Sequence, residues 1–142
     1  MHVLGYVAAS NAEAVETQLP AWLTTFERAA RERGWRRPTR DQFDAEVAHG
    51  AMFVGSPETV AQRMAAVMRA LDVDRLDLNY AVGSVPFEKR LETIELLGRE
   101  VFPRVRELLR AEAAGHTDTD RTSDFNDVKS PVRSTHAPLA KG

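Results

Sequence analysis

The run His2 to Ala8, read HVLGYVA, constrains this chain more than any other stretch. It is almost continuously apolar and has the length of a strand. A strand with no polar alternation is buried on both faces, as in a parallel sheet with helices above and below it. A parallel neighbour cannot follow through a tight hairpin. It needs a crossover of about a dozen residues or more, usually helical. The second strand-like run, Arg75 to Ala81 (RLDLNYA), comes only after a long helical interval. Strand, helices, helix, strand, helix is the order of an α/β chain.

The helices between and after these runs carry their own start and stop signals. Ser10-Asn11-Ala12-Glu13 has the form of a capping box, with Ser10 as the cap and Glu13 reaching back. Pro20 predicts an end to that helix, because it lacks the N–H of an interior residue and clashes one turn back. A second helix then runs from Pro20 to Gly34, with Leu23, Phe26 and Ala30 inward and Trp22 beside them. Thr39 or Asp41 is placed to cap a short helix through Phe43 and Val47. In GAMFVGSPETVAQRMAAVMR, from Gly50 to Arg69, a short apolar run meets Gly55 and Ser56-Pro57-Glu58. Ser56 suits the N-cap, Pro57 the first helical position and Glu58 the positive end of the dipole. Val60, Met64, Val67, Met68 and Leu71 then form one apolar stripe. Asp72-Val73-Asp74 makes a turn. Pro86 opens the longest helix, with Phe87, Leu91, Ile94, Leu97, Val101, Val105 and Leu108 on one side and a kink or a break expected at Pro103.

Composition narrows the function classes. The chain has 142 residues, 43% apolar and 28% charged, with a formal net charge of −2. That is the make-up of one soluble globular domain, with no electrostatic footprint for nucleic acid. The absence of cysteine excludes disulfides and thiolate metal sites, and fits a cytoplasmic protein. No stretch approaches the roughly 18 apolar residues of a spanning helix, so no membrane partner is expected. The four histidines, His2, His49, His116 and His136, show no ligand spacing, and no metal site is expected. From Gly115 the sequence turns to scattered Asp, Thr and Ser without periodicity, which predicts domain residues 1–114 and a disordered tail over 115–142.

Two strands buried on both faces do not complete a sheet, so the pattern reads as part of a larger one. The runs VGSPETVAQRM and LDVDRLDLNYAVGSVPFEKRLETIELLGREVFPRVREL resemble the C-terminal end of the bacterial luciferase-like flavin monooxygenases. The upstream GYVAASNAEA and RERGWRRPTRDQFDAEVAHGAMFVGSPETV resemble the same family. The likeness spans about Val3 to Leu109 and is sharpest at Val54–Val60 and Ile94–Val105. It implies the C-terminal part of a TIM (β/α)8 barrel, with about two parallel strands and their surrounding helices, and nothing corresponding to roughly the first six strands. It also implies an oxidoreductase using reduced FMN, or a deazaflavin relative, with oxygen and a small-molecule substrate. A flavin reductase and a homo-oligomer, or a complementing barrel chain, would be the partners. The other expectation is a non-catalytic α/β module that oligomerises or completes a barrel with a partner chain.

In a barrel the reactive face lies at the C-terminal strand ends. That singles out Tyr80, Ala81, Val82 and Gly83, where small residues let a flat ring approach and Tyr80 can bond or stack. Strand end and turn is the equal alternative. Ser56 comes second, as a hydroxyl beside the free N–H groups of a helix start, although a plain cap explains it as well. Trp35 to Gly50 has the position of a lid, or of a surface connector. Arg28, Arg31, Arg33, Arg36, Arg37 and Arg40 read first as a solvated helix end and second as a phosphate site. No residue is singled out as catalytic.

Overall fold

The computed structural model describes residues 1–81 and 83–116. Three strands, not two, form its sheet: β1 (His2–Val7), β2 (Met52–Gly55) and β3 (Asp77–Asn79), all parallel, in the order β2-β1-β3. The additional strand is the apolar run before Ser56. Four residues are too few to show a period, and only a neighbour makes such a run a strand. β1 pairs with β2 from Leu4–Met52 to Val7–Gly55, and with β3 from His2–Asp77 to Leu4–Asn79. β3 is shorter than the alternating Arg75–Ala81 run because it leaves β1 after Asn79.

Helix α1 (Asn11–Arg33) is continuous, with Pro20 inside it, where a break was expected. Ser10 caps it by accepting from the Glu13 N–H at 3.2 Å. The missing Pro20 bond is offset by burial on both sides of it. Ala14 and Gln18 lie before the proline and Ala21 and Trp22 after it, all nearly inaccessible. Burial of the Trp22 ring alone contributes about 1.5–3 kcal/mol, comparable with the proline penalty of about 3. Gly34 ends the helix in the left-handed conformation.

Helix α2 (Arg40–His49) starts with a capping box between Thr39 and Gln42. Phe43 is fully buried and meets Trp22 edge-on at 5.5 Å between ring centres. Arg63 donates to the carbonyls of Val47 and Gly50 and lies over the Phe53 ring. The 35–50 connector is therefore anchored on the core through α2. Helix α3 (Pro57–Ala70) has the expected Ser56 cap and Val60–Met64 stripe, but it stops at Ala70, and Leu71 is exposed.

The last helix is interrupted. Helix α4 (Phe87–Leu96) passes through a π-helical turn (Leu97–Val101) into α5 (Phe102–His116). Phe102 N–H bonds to the Leu97 carbonyl, five residues back. The irregularity expected at Pro103 thus takes the form of a π turn that ends at Val101, and the proline leaves a carbonyl one turn back without its usual donor. The stripe expected to point inward divides. Leu97, Val101 and Val105 are buried, joined by Thr93, while Phe87, Leu91 and Ile94 are exposed. Helix α5 runs through Gly115 and His116, past the expected boundary. The rest of the expected tail, 117–142, lies outside the described residues.

Alternation along the strands sorts the core into two layers. Val3, Val7 and Phe53 pack against α3, the π turn and α5. Tyr6, Ala8, Met52 and Val54 pack against α1, α2 and Val85. With helices on both faces of a parallel sheet, the chain is α/β. Among the described residues no helix is long and apolar enough to cross a membrane.

Candidate functional site

Because the three strands are parallel, Ala8–Ser10, Gly55–Ser56 and Tyr80–Ser84 leave the same end of the sheet. Ser56 does not line the groove that Gly83 and Ser84 border. Ser56 follows β2, on the far side of β1 from Tyr80. Its hydroxyl accepts from the Thr59 N–H at 3.4 Å and shares a 3.0 Å hydrogen bond with the Thr59 hydroxyl. Its own N–H donates to Asn11 Oδ1 at 2.7 Å, tying this helix start to that of α1. The positive end of α3 already holds a carboxylate. Glu58 is gripped by Arg104 at 3.0–3.3 Å and by Gln62 at 2.8 Å, and these bonds lower its pKa.

The Tyr80–Gly83 stretch is divided between the two faces of the sheet. Tyr80 packs against the α3–α5 layer. The Ala81 N–H donates to Asn79 Oδ1 at 3.1 Å, which turns the chain at the strand end. Val82 lies outside the described residues. Gly83 sits over α1 with φ +79°, and a Cβ there would stand 2.6 Å from the Ala21 carbonyl oxygen. Only glycine fits both that angle and that approach.

This loop closes one side of an open groove of about 420 Å³, lined by Thr24, Thr25, Arg28 and Arg31 of α1 with Gly83 and Ser84. The threonine hydroxyls donate to the Pro20 and Ala21 carbonyls, each at 2.9 Å, and so keep lone pairs toward solvent. Arg28 and Arg31 stand one helical turn apart. Arg28 is only loosely paired with Glu32, at 4.0 Å. Two guanidiniums, a serine hydroxyl and glycine backbone make a set suited to a phosphate or carboxylate. The sequence marks the arginines and Gly83 separately. Thr24, Thr25 and Ser84 carried no signal, since nothing local shows that the loop folds back on α1.

A second polar cluster fills the seam where α4 meets α1 and β1. Thr93, fully buried, donates to the Val7 carbonyl at 2.7 Å. The Tyr6 hydroxyl lies beside Thr17 and Thr93 without an aligned bond, and burial raises its pKa above the ordinary value of 10.0. At the rim, Lys89 bridges Glu13 at 2.8 Å and Glu92 at 2.9 Å, contacts that raise its pKa. Thr93 answers a backbone carbonyl of β1 and Lys89 joins Glu13 of α1 to Glu92 of α4, so these contacts tie α4 to β1 and α1. His49 ends α2 at the surface, and Asp77 pairs with Arg75 at 2.9 Å. No group of three or more metal-ligating side chains occurs among the described residues. No protein-family model matches the chain, and no curated protein matches it.

Proposed function

We propose that this chain is the cofactor-facing C-terminal part of a luciferase-like flavin-dependent oxidoreductase, acting within a larger parallel sheet, most simply a (β/α)8 barrel. In this reading the groove beside Gly83 receives the phosphate end of reduced FMN or of a deazaflavin relative. The observation that carries it is that groove, with Arg28 and Arg31 facing a close-packed glycine loop beyond the strand ends. The family likeness of Val54–Val60 and Ile94–Val105 supplies the flavin. The donor set fits a phosphate. Arg28 and Arg31 would hold it and Ser84 would orient it, while the ring contacts would come from the rest of the sheet. When bound, the flavin supplies the redox chemistry.

Consecutive strands of a barrel are neighbours, whereas β1 here lies between β2 and β3. The reading therefore requires β3 to exchange partners when further strands are supplied. Three paired residues are a small contact to give up. The same observation favours a second reading, a non-catalytic α/β module whose open β3 edge adds a strand from a partner chain.

The test is a fluorescence titration of the 142-residue chain with oxidised FMN, reduced FMN and riboflavin. Saturable one-to-one FMN binding is expected, with riboflavin and the Arg28→Glu/Arg31→Glu variant each weaker by about tenfold or more. Equal affinity for FMN and riboflavin, or no effect of the charge reversals, overturns the phosphate assignment. Absence of any flavin binding leaves the partner-strand reading.

A further inference from the structure

Trp35 stands 59% exposed, although an indole ring gains more from burial than most side chains. It is not loose. Its backbone N–H donates to the Ala30 carbonyl at 2.8 Å, and the Arg33 guanidinium lies over its ring at 4.7 Å. A cation over the ring face holds an indole in place. Trp35 forms, with Pro38, one wall of an open cleft of about 300 Å³ between the end of α1 and the start of α2. Trp22, Phe26 and Ala30 line the α1 side, with the Trp22 and Phe26 rings tilted together at 4.8 Å between centres. These three follow one another every four residues along one face of α1. Thr24, Arg28 and Arg31, which line the groove beside Gly83, belong to the opposite face. The two clefts share no residue.

The polar lining of the cleft is one-sided. Gln42 commits its Oε1 to the Thr39 N–H at 3.0 Å, which leaves its amide N–H groups as donors. Glu46 turns its carboxylate back against Gly50, where it interacts with Arg63. Of the arginines flanking Trp35, Arg33 lies over the ring and Arg37 pairs with Glu27 at 3.7 Å. Arg36 lines the cleft and has no ion pair or hydrogen bond among the described residues. An aromatic cleft whose free polar groups are donors, one of them a cation, complements an apolar ring that carries one anionic acceptor. A guanidinium matches a carboxylate best, through two parallel bonds. The volume sets the size, since about 300 Å³ is the lower end for small-molecule clefts and suits a single ring with a short acid side chain.

We infer that this cleft is a binding site for a small aromatic carboxylic acid, with its ring against Trp22, Phe26 and Trp35 and its carboxylate on Arg36. The site is separate from the groove beside Gly83, so it stands or falls independently of the flavin reading.

Both tryptophans of the chain border the cleft, so their fluorescence reports its occupancy. The probe is 3-phenylpropionate, which is transparent where tryptophan is selectively excited, with the neutral isostere 3-phenylpropanamide beside it. Saturable binding of the acid is expected at a Kd of roughly 0.1–1 mM, the range for so small a ligand. The amide should bind about fivefold or more weakly. Arg36→Gln should bring the acid down to the level of the amide and leave the amide unchanged. Trp35→Ala, followed by calorimetry, should weaken both ligands by about fivefold or more. Arg37→Gln, outside the cleft, should change neither. No saturable change up to ~10 mM acid overturns the proposal, as does equal affinity for acid and amide. An Arg36→Gln variant that still prefers the acid overturns the carboxylate assignment. Competition by FMN, or loss of binding in Arg28→Glu/Arg31→Glu, would put the ligand in the other groove and overturn the proposal as well.

Discussion

Replacing Thr93 with valine tests the least replaceable contact in the sheet. In a parallel ladder the N–H and C=O of one residue point to the same side. Leu4 and Ala8 of β1 donate toward β2, to the Ala51 and Gly55 carbonyls, each at 3.3 Å. The odd-numbered residues therefore face β3, as the 2.8 Å bond from the Asp77 N–H to the Met1 carbonyl also requires. Because β3 departs after Asn79, the Val7 carbonyl has no strand opposite it. The Thr93 hydroxyl fills the vacancy at 2.7 Å, and the residue is wholly inaccessible. Thr93→Val keeps the shape and removes the donor, leaving a buried carbonyl unpaired at a cost of about 1–3 kcal/mol. Thr93→Ser keeps the donor and removes a buried methyl, costing about 1 kcal/mol. Thr93→Ala does both and should lose about the sum. Urea unfolding at neutral pH measures all three. The midpoint should fall in the order Ser, Val, Ala with the slope unchanged. If Thr93→Val stays within about 0.5 kcal/mol of the parent, the ordinary range for an inconsequential surface change, the hydroxyl is not the replacement for a strand bond.

Gly83→Ala should destabilise the fold by about 1–2 kcal/mol for the left-handed angle alone, and by more for its collision with the Ala21 carbonyl, seen as a lower melting temperature without any ligand. Phe43→Ala should cost about 3–5 kcal/mol by calorimetry, because a fully buried ring holding α2 on Trp22 is removed. Acid should weaken the tie between α3 and α5. Bonds from Arg104 and Gln62 hold Glu58 below its unfolded pKa. The stability it contributes is therefore complete above the unfolded value and is lost as pH falls through the lower folded one. Glu58→Gln should flatten that part of the pH–stability curve, and an unaltered acid limb would refute the assignment.

Much of the local structure was legible because it is set by residues within one turn. The caps at Ser10, Thr39 and Ser56, the left-handed Gly34 and the Asp72 turn, with φ +48°, all follow from short-range hydrogen bonding and sterics. The candidate site was legible only in pieces. Gly83 stood out as a glycine at a strand end, and Arg28 and Arg31 as members of a basic run. That they share a groove depends on a loop crossing from β3 to α1, which no local pattern encodes.

The sequence by itself determined a parallel α/β chain. An unbroken apolar strand must be covered on both faces, and its parallel neighbour must return through a helix. Tertiary structure decided the rest, wherever local preference and burial disagreed. Pro20 stays inside α1 because Ala14, Ala21 and Trp22 are buried around it. Met52–Gly55 is a strand because β1 offers it an edge. The last helix faces the core with Leu97, Val101 and Val105 rather than Phe87, Leu91 and Ile94, because the α3 surface selects one stripe and the π turn adjusts the phase to meet it. A sequence shows which residues prefer burial. Only the packed neighbour determines which of two apolar faces is buried and which is left exposed.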